Sequence, residues 1–431
     1  MIKQKTFWSE TLSPRAQRLL RPLPQTAEVA IIGAGLTGLS AARTLAKSGV
    51  GVSVLEAETV GWGASSRNGG MVLTGLKLPV GELVDRFGAD LAREMYSASL
   101  ASIDCVERIV RDEQIDCSFM RSGHLAVACR PSHFEAFQRS AERLVLDFHH
   151  QVSVISRQDL QSEIGSEIYF GGLVDESSAG LNPAQYVDGL ARAAEKSGAD
   201  LHEHTSVQSV RRETKAGAPG FRVETNRGTL WASHILAATS GYTGHATPAL
   251  HKRVIPIGSY IIVTAQLPED LGRRLSPRNR MIYDSKNFLH YFRLTPDRRM
   301  LFGGRAAFFP ETPNTIGRSA KILRDDILRV FPGLHDAAVE YVWGGTLDFT
   351  FDMLPHAGQM DGMYYAMGYA GHGVAMATYL GAKTAAMILG AKDHNPFASV
   401  PFPGAPLGLY NGRPWFLPFA GAWYKLLDWI R

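Results

Sequence analysis

The stretch that most constrains the fold is residues 27–38, which read AEVAIIGAGLTG. The apolar run at 29–32 is typical of a strand buried on both faces. The six residues after it have the spacing G-x-G-x-x-G, and we predict an alanine-rich helix at 39–47. A second buried strand at 50–55 completes the pattern. A strand, glycine turn, helix and strand in this order form one complete βαβ unit.

Each part of this unit has a physical reason to bind a dinucleotide. The first glycine permits the tight turn, the second lets a pyrophosphate approach the backbone, and the third lets the helix pack on the strand. The helix N-terminus supplies unpaired N–H donors. Glu56, about 20 residues on, suits the ribose hydroxyls and repels a 2′-phosphate. A glycine turn of no special role is the alternative, and the unit does not separate NAD from FAD. The predicted contacts are Gly33, Ala34, Gly35, Leu36, Thr37, Gly38, Glu56 and Ala57.

The loop at residues 61–70, GWGASSRNGG, has no core character. Its small residues permit a close backbone approach, and its serine, arginine and asparagine side chains donate hydrogen bonds. A flavin needs such a loop, because the isoalloxazine and phosphates must be held once the ADP half is bound. A surface turn is the alternative. The predicted contacts are Gly63, Ala64, Ser65, Ser66, Arg67, Asn68, Gly69 and Gly70.

Two later stretches extend the predicted cofactor site. A buried strand at 231–238 runs into Thr-Ser-Gly, which suits a backbone contact to the dinucleotide, although a plain strand-to-loop turn is the alternative. The sequence GYAGHG at 368–373 opens a helix at 374–389, whose N-terminal dipole suits the negative charge of a reduced flavin. In these stretches the predicted cofactor contacts are Thr239, Gly241, Gly371, His372, Gly373 and Val374. Two single positions outside them, Val207 and Gly344, are also predicted contacts.

Periodicity predicts the remaining elements and indicates an antiparallel sheet in the second half of the chain. In this sheet, alternation places Tyr260 with Ile262 on one face, and Tyr291 with Arg293 on one face of a neighbouring strand. The predicted helices are residues 83–112, 132–149, 182–196 and 316–331. The predicted strands are 123–128, 169–175, 201–210, 221–225, 254–266, 288–294, 300–303, 341–346 and 363–367.

Composition excludes several classes of function. The 431 residues carry a formal charge of +4 without the basic run that nucleic-acid binders show, so we expect no nucleic-acid partner. Three cysteines without metal-type spacing predict free thiols and no metal site. We find neither a signal peptide nor an 18-residue apolar window, and we expect a cytoplasmic protein.

The ordered set of motifs resembles the FAD-dependent D-amino-acid-oxidase-like family, in its γ-glutamylputrescine oxidase-like branch. The resemblance covers nearly the whole chain. No single motif is specific, but their order is. The motifs are FWSETLSP, IIGAGLTGLSAARTLAKSGVGVSVLEA, VGWGASSRNGG, PIGSYIIVTAQL, YFRLTPDRRMLFGGR, WGGTLDFTFDMLPHAG, GYAGHGVAMATYLG and YNGRPWFLPF.

This resemblance implies an α/β fold with an α+β substrate part, in which a Rossmann-like FAD domain is interleaved with a mostly antiparallel-sheet domain. It implies oxidation of a C–N bond by hydride transfer to flavin N5, imine hydrolysis, and reduction of O₂ to H₂O₂. We expect an arm at 1–25, an FAD domain at 26–85, 170–248 and 340–395, a substrate domain at 86–169 and 249–339, and an aromatic tail at 396–431.

Some relatives tether FAD through a cysteine in the C-terminal half, and others tether it through a histidine in the loop after the second strand. This chain has no cysteine after Cys129 and no histidine in its loop, so we predict non-covalent FAD.

Hydride transfer from a neutral amine requires geometry rather than a strong base. His372 would support the flavin anion through its backbone N–H or as a cation, or merely order the turn. Arg67 would reach the flavin or the oxygen site, or form a loop salt bridge. Which sheet residue faces the flavin stays open. For Arg293 and Arg305 the choice is a carboxylate clamp or an ion pair, and for Trp343 and Phe349 it is an amine pocket or core packing. The catalytic candidates are Arg67, Tyr260, His290, Arg293 and His372.

Three readings of function remain open. The first is an amine or amino-acid oxidase, and the second is a dehydrogenase that passes electrons to a quinone or an electron-transfer protein. The third is a flavin-binding module without redox turnover.

Phe7 and Trp8 would anchor the N-terminal arm. The aromatic tail favours packing against the FAD domain or another subunit, with a membrane-surface contact as the alternative.

Overall fold

A computed structural model describes residues 2–13, 20–307, 312–417, 419, 421 and 423, with the backbone alone at 305–307 and 313. The strands are β1 Thr26–Ile32, β2 Val52–Leu55, β3 Met71–Val72, β4 His124–Val127, β5 Ser153–Ser156, β6 Gly171–Asp175, β7 Ala179–Gly180, β8 Asp200–His202, β9 Val207–Lys215, β10 Ala218–Thr225, β11 Gly228–Ala237, β12 Ile255–Gln266, β13 Met281–Asp284, β14 Tyr291–Leu294, β15 Arg299–Ala307, β16 Val339–Phe349, β17 His356–Met360 and β18 Met363–Met367. The helices are α1 Leu36–Lys47, α2 Val80–Phe87, α3 Ala89–Asp112, α4 Pro131–Phe148, α5 Pro183–Lys196, α6 Pro248–His251, α7 Glu269–Leu275, α8 Pro313–Val330 and α9 Gly373–Ile388.

The first sheet has the strand order β17-β18-β11-β1-β2-β8, and the hairpin of β9 and β10 joins it beside β11. Strands β18, β11, β1, β2 and β8 run parallel. The four residues at 29–32 are buried, as expected for a central strand with both faces covered. Helices cover one face of this sheet, and residues of β10 and β11 pack on the other face. The predicted mixed α/β fold is confirmed.

The second sheet has the order β16-β12-β15-β14-β13-β4-β6-β5 and is largely antiparallel. Helix α8 covers one face, where Tyr260, Ile262 and Phe292 join a core cluster with Leu323 and Ile327. The predicted alternation is therefore confirmed. On the opposite face, Ile261 and Val263 of β12 pack with Phe7 and Trp8.

Sheet membership departs from the predicted domain boundaries at two strands. Both β6 and β16 belong to the second sheet, although the sequence assigned residues 170–248 and 340–395 to the FAD part. Strand β6 pairs with β4 and β5, and β16 pairs with β12 along its length. The pairings of β16 with β12 and of β6 with β4 join segments that are not adjacent in the chain, so local patterns do not contain them.

Three predicted elements differ from the structure. The helix predicted at 83–112 is two helices, because Gly88 between α2 and α3 has φ of +79°, a conformation that ends a helix. The strand predicted at 201–210 is β8 followed by β9, with residues 203–206 outside both. Of the strand predicted at 288–294, Tyr291–Leu294 alone is a strand.

The N-terminal arm is anchored as predicted. Phe7 and Trp8 are buried, and they pack against Tyr341 and Trp343 of β16. The predicted arm also includes residues 14–19, which lie outside the described residues.

Part of the aromatic tail packs on the second sheet. The hydroxyl of Tyr410 donates to the carbonyl oxygen of Val254 at 2.8 Å, and Leu417 packs with Ile255. Trp415 and Trp423 are exposed, and residues 424–431 lie outside the described part. Within the described residues, no helix combines the length and apolar character needed to cross a membrane.

Candidate active site

A cavity of about 380 Å³ lies between the glycine turn, the inner face of the second sheet and the start of α9. The glycine turn contributes Gly35, Leu36 and Thr37. The second sheet contributes Ser259, Ile261 and Tyr291 among others, and Gly371–Val374 close the remaining side. The cavity therefore joins the glycine turn to the sheet of the predicted substrate domain.

The glycine turn leaves no room for side chains. Gly33 has φ of +103°, and a β-carbon on Gly38 would lie 2.0 Å from the carbonyl oxygen of Gly33. A β-carbon on Gly35 would lie 2.7 Å from Oγ of Ser65, which accepts a hydrogen bond from the N–H of Leu36 at 3.0 Å. This cradle of glycines at the start of α1 fits the pyrophosphate of a dinucleotide.

The Glu56 carboxylate is held at the end of β2. It accepts the N–H of Ala34 at 2.8 Å and that of Glu58 at 3.0 Å. Its burial raises its pKa, and the two N–H donors oppose that effect. The acid therefore lies beside the glycine turn, and its ribose contact stays a prediction.

Two buried tryptophans fix the loop at 61–70. The indole N–H of Trp8 donates to the carbonyl oxygen of Asn68 at 2.9 Å, and that of Trp343 donates to the carbonyl oxygen of Arg67 at 2.8 Å. The Arg67 guanidinium donates to the carbonyl oxygens of Trp62 at 2.8 Å and Gly344 at 3.2 Å. These hydrogen bonds therefore fix the loop in place along one side of the cavity. Arg67 bonds to backbone carbonyl oxygens and forms no salt bridge with the described residues.

Helix α9 is brought to the site by close packing on α1. A β-carbon on Gly381 would lie 2.3 Å from the carbonyl oxygen of Thr37. The Thr37 hydroxyl also hydrogen-bonds the hydroxyl of Tyr369 at 2.6 Å. The first N–H groups of a helix have no partner inside it, so those of Gly373 and Val374 are placed to bind an anion.

Two features of His372 bear on its predicted role. Its backbone N–H donates to the carbonyl oxygen of Tyr369 at 2.9 Å. Burial, together with the charge of Lys77, lowers the pKa of His372 to about 4, so its imidazole is neutral at neutral pH. Its Nδ1 is buried without a hydrogen-bond partner among the described residues.

The structure brings together part of the predicted contact set. From the predicted cofactor contacts, the cavity is lined by Gly35, Leu36, Thr37, Ala64, Ser65, Arg67, Asn68, Gly69, Gly371, His372, Gly373 and Val374. The others lie outside its lining: Gly33, Ala34, Gly38, Glu56, Ala57, Gly63, Ser66, Gly70, Val207, Thr239, Gly241 and Gly344.

Three of the five catalytic candidates do not line the cavity. Tyr260 faces α8, and its hydroxyl donates to Oγ1 of Thr315 at 3.3 Å. His290 lies between Asp284 and Asp326, with ring nitrogens 3.2 and 3.3 Å from their carboxylates. The Tyr260 side chain points to the face of the second sheet that α8 covers. His290 lies in the loop before β14, where it is directed at the two carboxylates.

Arg293 is buried and ties the cavity wall to its surroundings. It donates to the carbonyl oxygens of Gly70 at 3.1 Å and Leu181 at 3.0 Å, and burial lowers its pKa to about 10. No carboxylate pairs with it in the described part of the chain, so the expected ion pair is replaced by backbone acceptors. The side chain of Arg305 lies outside the described residues.

The remaining candidates on the second sheet either line the cavity or pack in the core. Tyr291 and Phe349 line the cavity, whereas Trp343 packs in the core with Phe7 and Trp8. Sequence reasoning missed Lys77, Tyr283 and Asp348, which also line the cavity. One signal was present for Lys77, a lone lysine in the apolar sequence LTGLKLPV.

Asp348 positions the chain before α9. Its carboxylate accepts the N–H of Gly368 at 2.6 Å, and its carbonyl oxygen accepts the N–H of Ala370 at 2.9 Å. Burial raises its pKa from the ordinary 3.8 to about 6. The one carboxylate in the described lining of the cavity is therefore committed to holding the GYAGHG turn.

We expect Tyr260→Phe to leave the rate of flavin reduction unchanged within about twofold, because its hydroxyl makes no contact in the cavity. Stopped-flow absorbance with any amine that reduces the wild type measures this rate. Tyr291→Phe, on the cavity side of the same sheet, is the matched variant. A tenfold loss in Tyr260→Phe alone would contradict the placement.

We expect Asp348→Asn to weaken the pH dependence of stability. A folded-state pKa above the unfolded value adds stability that is present below pH 4 and is lost as the pH rises through 6. The gap from 3.8 to about 6 corresponds to roughly 3 kcal/mol. Urea unfolding at pH 4 and pH 7.5 should show the wild type losing about this much relative to the variant. Asp361→Asn, at an exposed acid, is the control, and parallel curves for wild type and Asp348→Asn would refute the expectation.

Comparison with known proteins gives one family. The family model described as "FAD dependent oxidoreductase" matches residues 28–387 of this chain. The chain is 32% identical to gamma-glutamylputrescine oxidoreductase from Escherichia coli over 412 residues, which cover 94% of this chain and 93% of that protein.

Solved structures share the fold at lower identity. Glycine oxidase from Geobacillus kaustophilus superposes with a TM-score of 0.73 at 20% identity, over 88% of this chain and all of that one. L-proline dehydrogenase from P. horikoshii gives a TM-score of 0.69 at 19% identity, over 87% of this chain and 98% of that one. These likenesses describe the fold alone.

Proposed function

The chain belongs to the family of FAD-dependent oxidoreductases, and on that premise we propose that it oxidises a C–N bond of an amine or amino acid. The resemblance to gamma-glutamylputrescine oxidoreductase over nearly the full length of both chains supports this class of substrate. The observation that carries the proposal is the cavity between the glycine turn and the second sheet. Its lining suits a reaction that depends on geometry more than on a strong base.

The residues that would hold FAD are those of the cradle. Glycines 33, 35 and 38 and the N-terminus of α1 receive the pyrophosphate, and Glu56 receives the ribose. When bound, FAD would supply the two-electron oxidation, as the acceptor of a hydride from the carbon of the C–N bond. The start of α9, with its unpaired N–H groups, favours negative charge at the flavin edge.

The remaining lining positions the substrate and excludes water. Ser259, Ile261 and Tyr291 form the sheet wall, and Phe349 adds an apolar surface. The carboxylate of Asp348 is engaged with backbone N–H groups, and the imidazole of His372 is neutral. Among the described lining residues, the one carboxylate that an entering neutral amine could meet is therefore already bonded to the backbone.

We propose O₂ as the electron acceptor, with H₂O₂ as the product. The alternative is a dehydrogenase that uses a quinone or an electron-transfer protein, favoured by the exposed Trp415, Phe419 and Trp423 near the C-terminal end. The fold occurs in both an oxidase and a dehydrogenase, so it does not choose between them.

The test is a panel of secondary amines, polyamine conjugates and D- and L-amino acids. Anaerobic bleaching of the flavin by any member would support C–N oxidation, and H₂O₂ release in air would support the oxidase. Turnover with a dye acceptor and none with O₂ would favour the dehydrogenase. If no member bleaches the flavin, the proposal fails and a flavin-binding module without this chemistry is left.

We also predict that the FAD is not covalently attached. Acid precipitation of the purified holoprotein should release the flavin into the supernatant, where its absorbance is measured. Yellow protein in the pellet would contradict the prediction, and His372 in the cavity lining would then be the first candidate for the attachment.

A further inference from the structure

The inner face of the second sheet carries a continuous row of side chains from β12 and β16. The residues that lie opposite one another in this row are Ile255 with Phe349, Ile257 with Leu347, Ser259 with Gly345 and Ile261 with Trp343. Positions two apart in a strand share a face, so the four pairs follow one another along the same surface.

The cavity occupies the middle of this row. Ile257, Ser259 and Ile261 of β12 all line it. At one end the N-terminal arm covers the row, where Phe7 and Trp8 pack with Ile261. Buried aromatic side chains from the start of the chain therefore bound the row on that side.

The aromatic tail covers the other end of the row. Ile255 is buried in a cluster with Tyr410 and Leu417 of the tail. Ile257 and Phe349 pack against this cluster, and both of them also line the cavity. The same two side chains therefore belong to the wall of the cavity and to its contact with the tail.

Hydrogen bonds to the backbone fix the tail in this position. The hydroxyl of Tyr410 donates to the carbonyl oxygen of Val254 at 2.8 Å. The guanidinium of Arg253 donates to the carbonyl oxygen of Phe402, earlier in the tail, at 3.0 Å. Arg253 and Val254 directly precede β12, so the tail is bound to the strand that forms the cavity wall.

A second cavity of about 230 Å³ borders the tail. Its lining includes Phe351, Tyr410 and Phe416, which all belong to the cluster on the second sheet or pack against it. The cluster therefore has free space beside it, so a shortened side chain there gives the wall of the first cavity room to move.

We propose that the aromatic tail is the end wall of the substrate cavity, and that it limits the size of the apolar group that an amine substrate can carry. A group that reaches this end meets Ile257, Leu347 and Phe349, which are all apolar. Each methylene that fits there adds binding free energy, and one that does not fit is rejected by the packed wall. Calling the ligand an amine substrate rests on the proposed function, whereas the position of the wall does not.

The tail also stabilises the second sheet, and this role has to be separated from that of a wall. A loss of stability lowers the fraction of folded protein, so it affects ligands of every size by the same factor. A wall discriminates by size, because it leaves a small ligand unaffected and rejects a large one. The dependence of affinity on ligand size is therefore the property to measure.

The test uses tert-butylamine, tert-pentylamine and tert-octylamine as probes of the oxidised holoprotein. In these amines the carbon next to the nitrogen carries no hydrogen, so they bind without giving up a hydride. Calorimetry measures their affinity, and the flavin spectrum reports their entry into the cavity.

We expect Leu417→Ala to bind tert-octylamine about tenfold more tightly than the wild type does, which is the gain for burying roughly two further methylene groups. The smaller tert-butylamine should bind both proteins alike. With an amine that reduces the wild type, KM for bulky substrates should fall in Leu417→Ala while kcat stays the same. Leu407→Ala, at an exposed leucine of the same tail, is the matched control and should bind all three probes as the wild type does.

Two results would overturn the proposal. The first is a set of affinities that change by one common factor for all three probes, or not at all, in Leu417→Ala. The second is a failure of every probe to perturb the flavin spectrum in both proteins. Flavin content and circular dichroism show whether Leu417→Ala is folded, and Phe416→Ala replaces it if it is not. If no amine bleaches the flavin, the proposed function fails, and the size dependence of probe binding still decides the role of the tail.

Discussion

Replacing Gly38 by alanine should yield a protein that retains little or no FAD. The added methyl would lie 2.0 Å from the carbonyl oxygen of Gly33 and 3.2 Å from the Ile31 side chain. Backbone cannot rotate aside as a flexible side chain does, so α1 must move away from the glycine turn. Overpacking of this kind costs about 3 kcal/mol or more, which corresponds to roughly a hundredfold in an equilibrium constant. We expect FAD affinity to fall by at least this factor, measured as flavin per polypeptide after dialysis.

The control for this variant is another glycine-to-alanine change without a clash. Gly317 lies in the exposed part of α8, and a β-carbon there would meet nothing within 4 Å. Gly317→Ala should retain full FAD and gain up to about 1 kcal/mol in stability, since alanine is the better helix former. If Gly38→Ala binds FAD as tightly as the wild type, the close contact of α1 with the turn is not required for the cofactor.

Replacing Trp8 by alanine should destabilise the protein by about 3–5 kcal/mol, the usual cost of deleting a buried tryptophan side chain. Trp8 is fully buried against β16, and its indole N–H is bonded to the carbonyl oxygen of Asn68. Loss of this bond should also loosen the loop at 61–70 and speed the release of FAD. Urea unfolding measures the first effect, and stopped-flow transfer of FAD to an excess apoflavodoxin measures the second.

Two variants separate the packing of Trp8 from its hydrogen bond. Trp8→Phe keeps most of the apolar volume and removes the N–H donor, so its loss of stability should be about 1–2 kcal/mol. Trp415→Ala, at an exposed tryptophan, should change little in either measurement. If the N-terminal arm contributes neither to stability nor to FAD retention, Trp8→Ala and Trp415→Ala will give equal results in both measurements.

The dinucleotide unit could be predicted from the sequence because its parts are contiguous. Residues 27–56 contain the strand, the glycines, the helix and the acid, and each local pattern there agrees with the others. The structure extends β1 to Thr26 and starts α1 at Leu36, which changes boundaries and not the architecture. The alternation of the second sheet was also readable, since period 2 is a local property.

Which face of that sheet lines the cavity could not be predicted from the sequence. Helix α8 covers the face of Tyr260, and this docking joins segments more than 50 residues apart. Once that face is covered, Ser259, Ile261 and Tyr291 are the residues left for the cavity. His290 was misplaced for a related reason, because its carboxylate partners Asp284 and Asp326 lie on different elements. Lys77 and Asp348 acquire their surroundings in the same non-local way.

The two tryptophan anchors of the loop at 61–70 set an order of events during synthesis. Trp8 leaves the ribosome before the loop, but Trp343 follows Arg67 by 276 residues. At about 5–20 residues per second, that separation alone takes roughly 15–55 s of translation. Until then, one wall of the flavin cavity lacks half of its support, although the glycine turn is already complete. We therefore expect stable loading of the cofactor to await the last part of translation, and we expect a chain truncated before residue 343 to retain its flavin poorly.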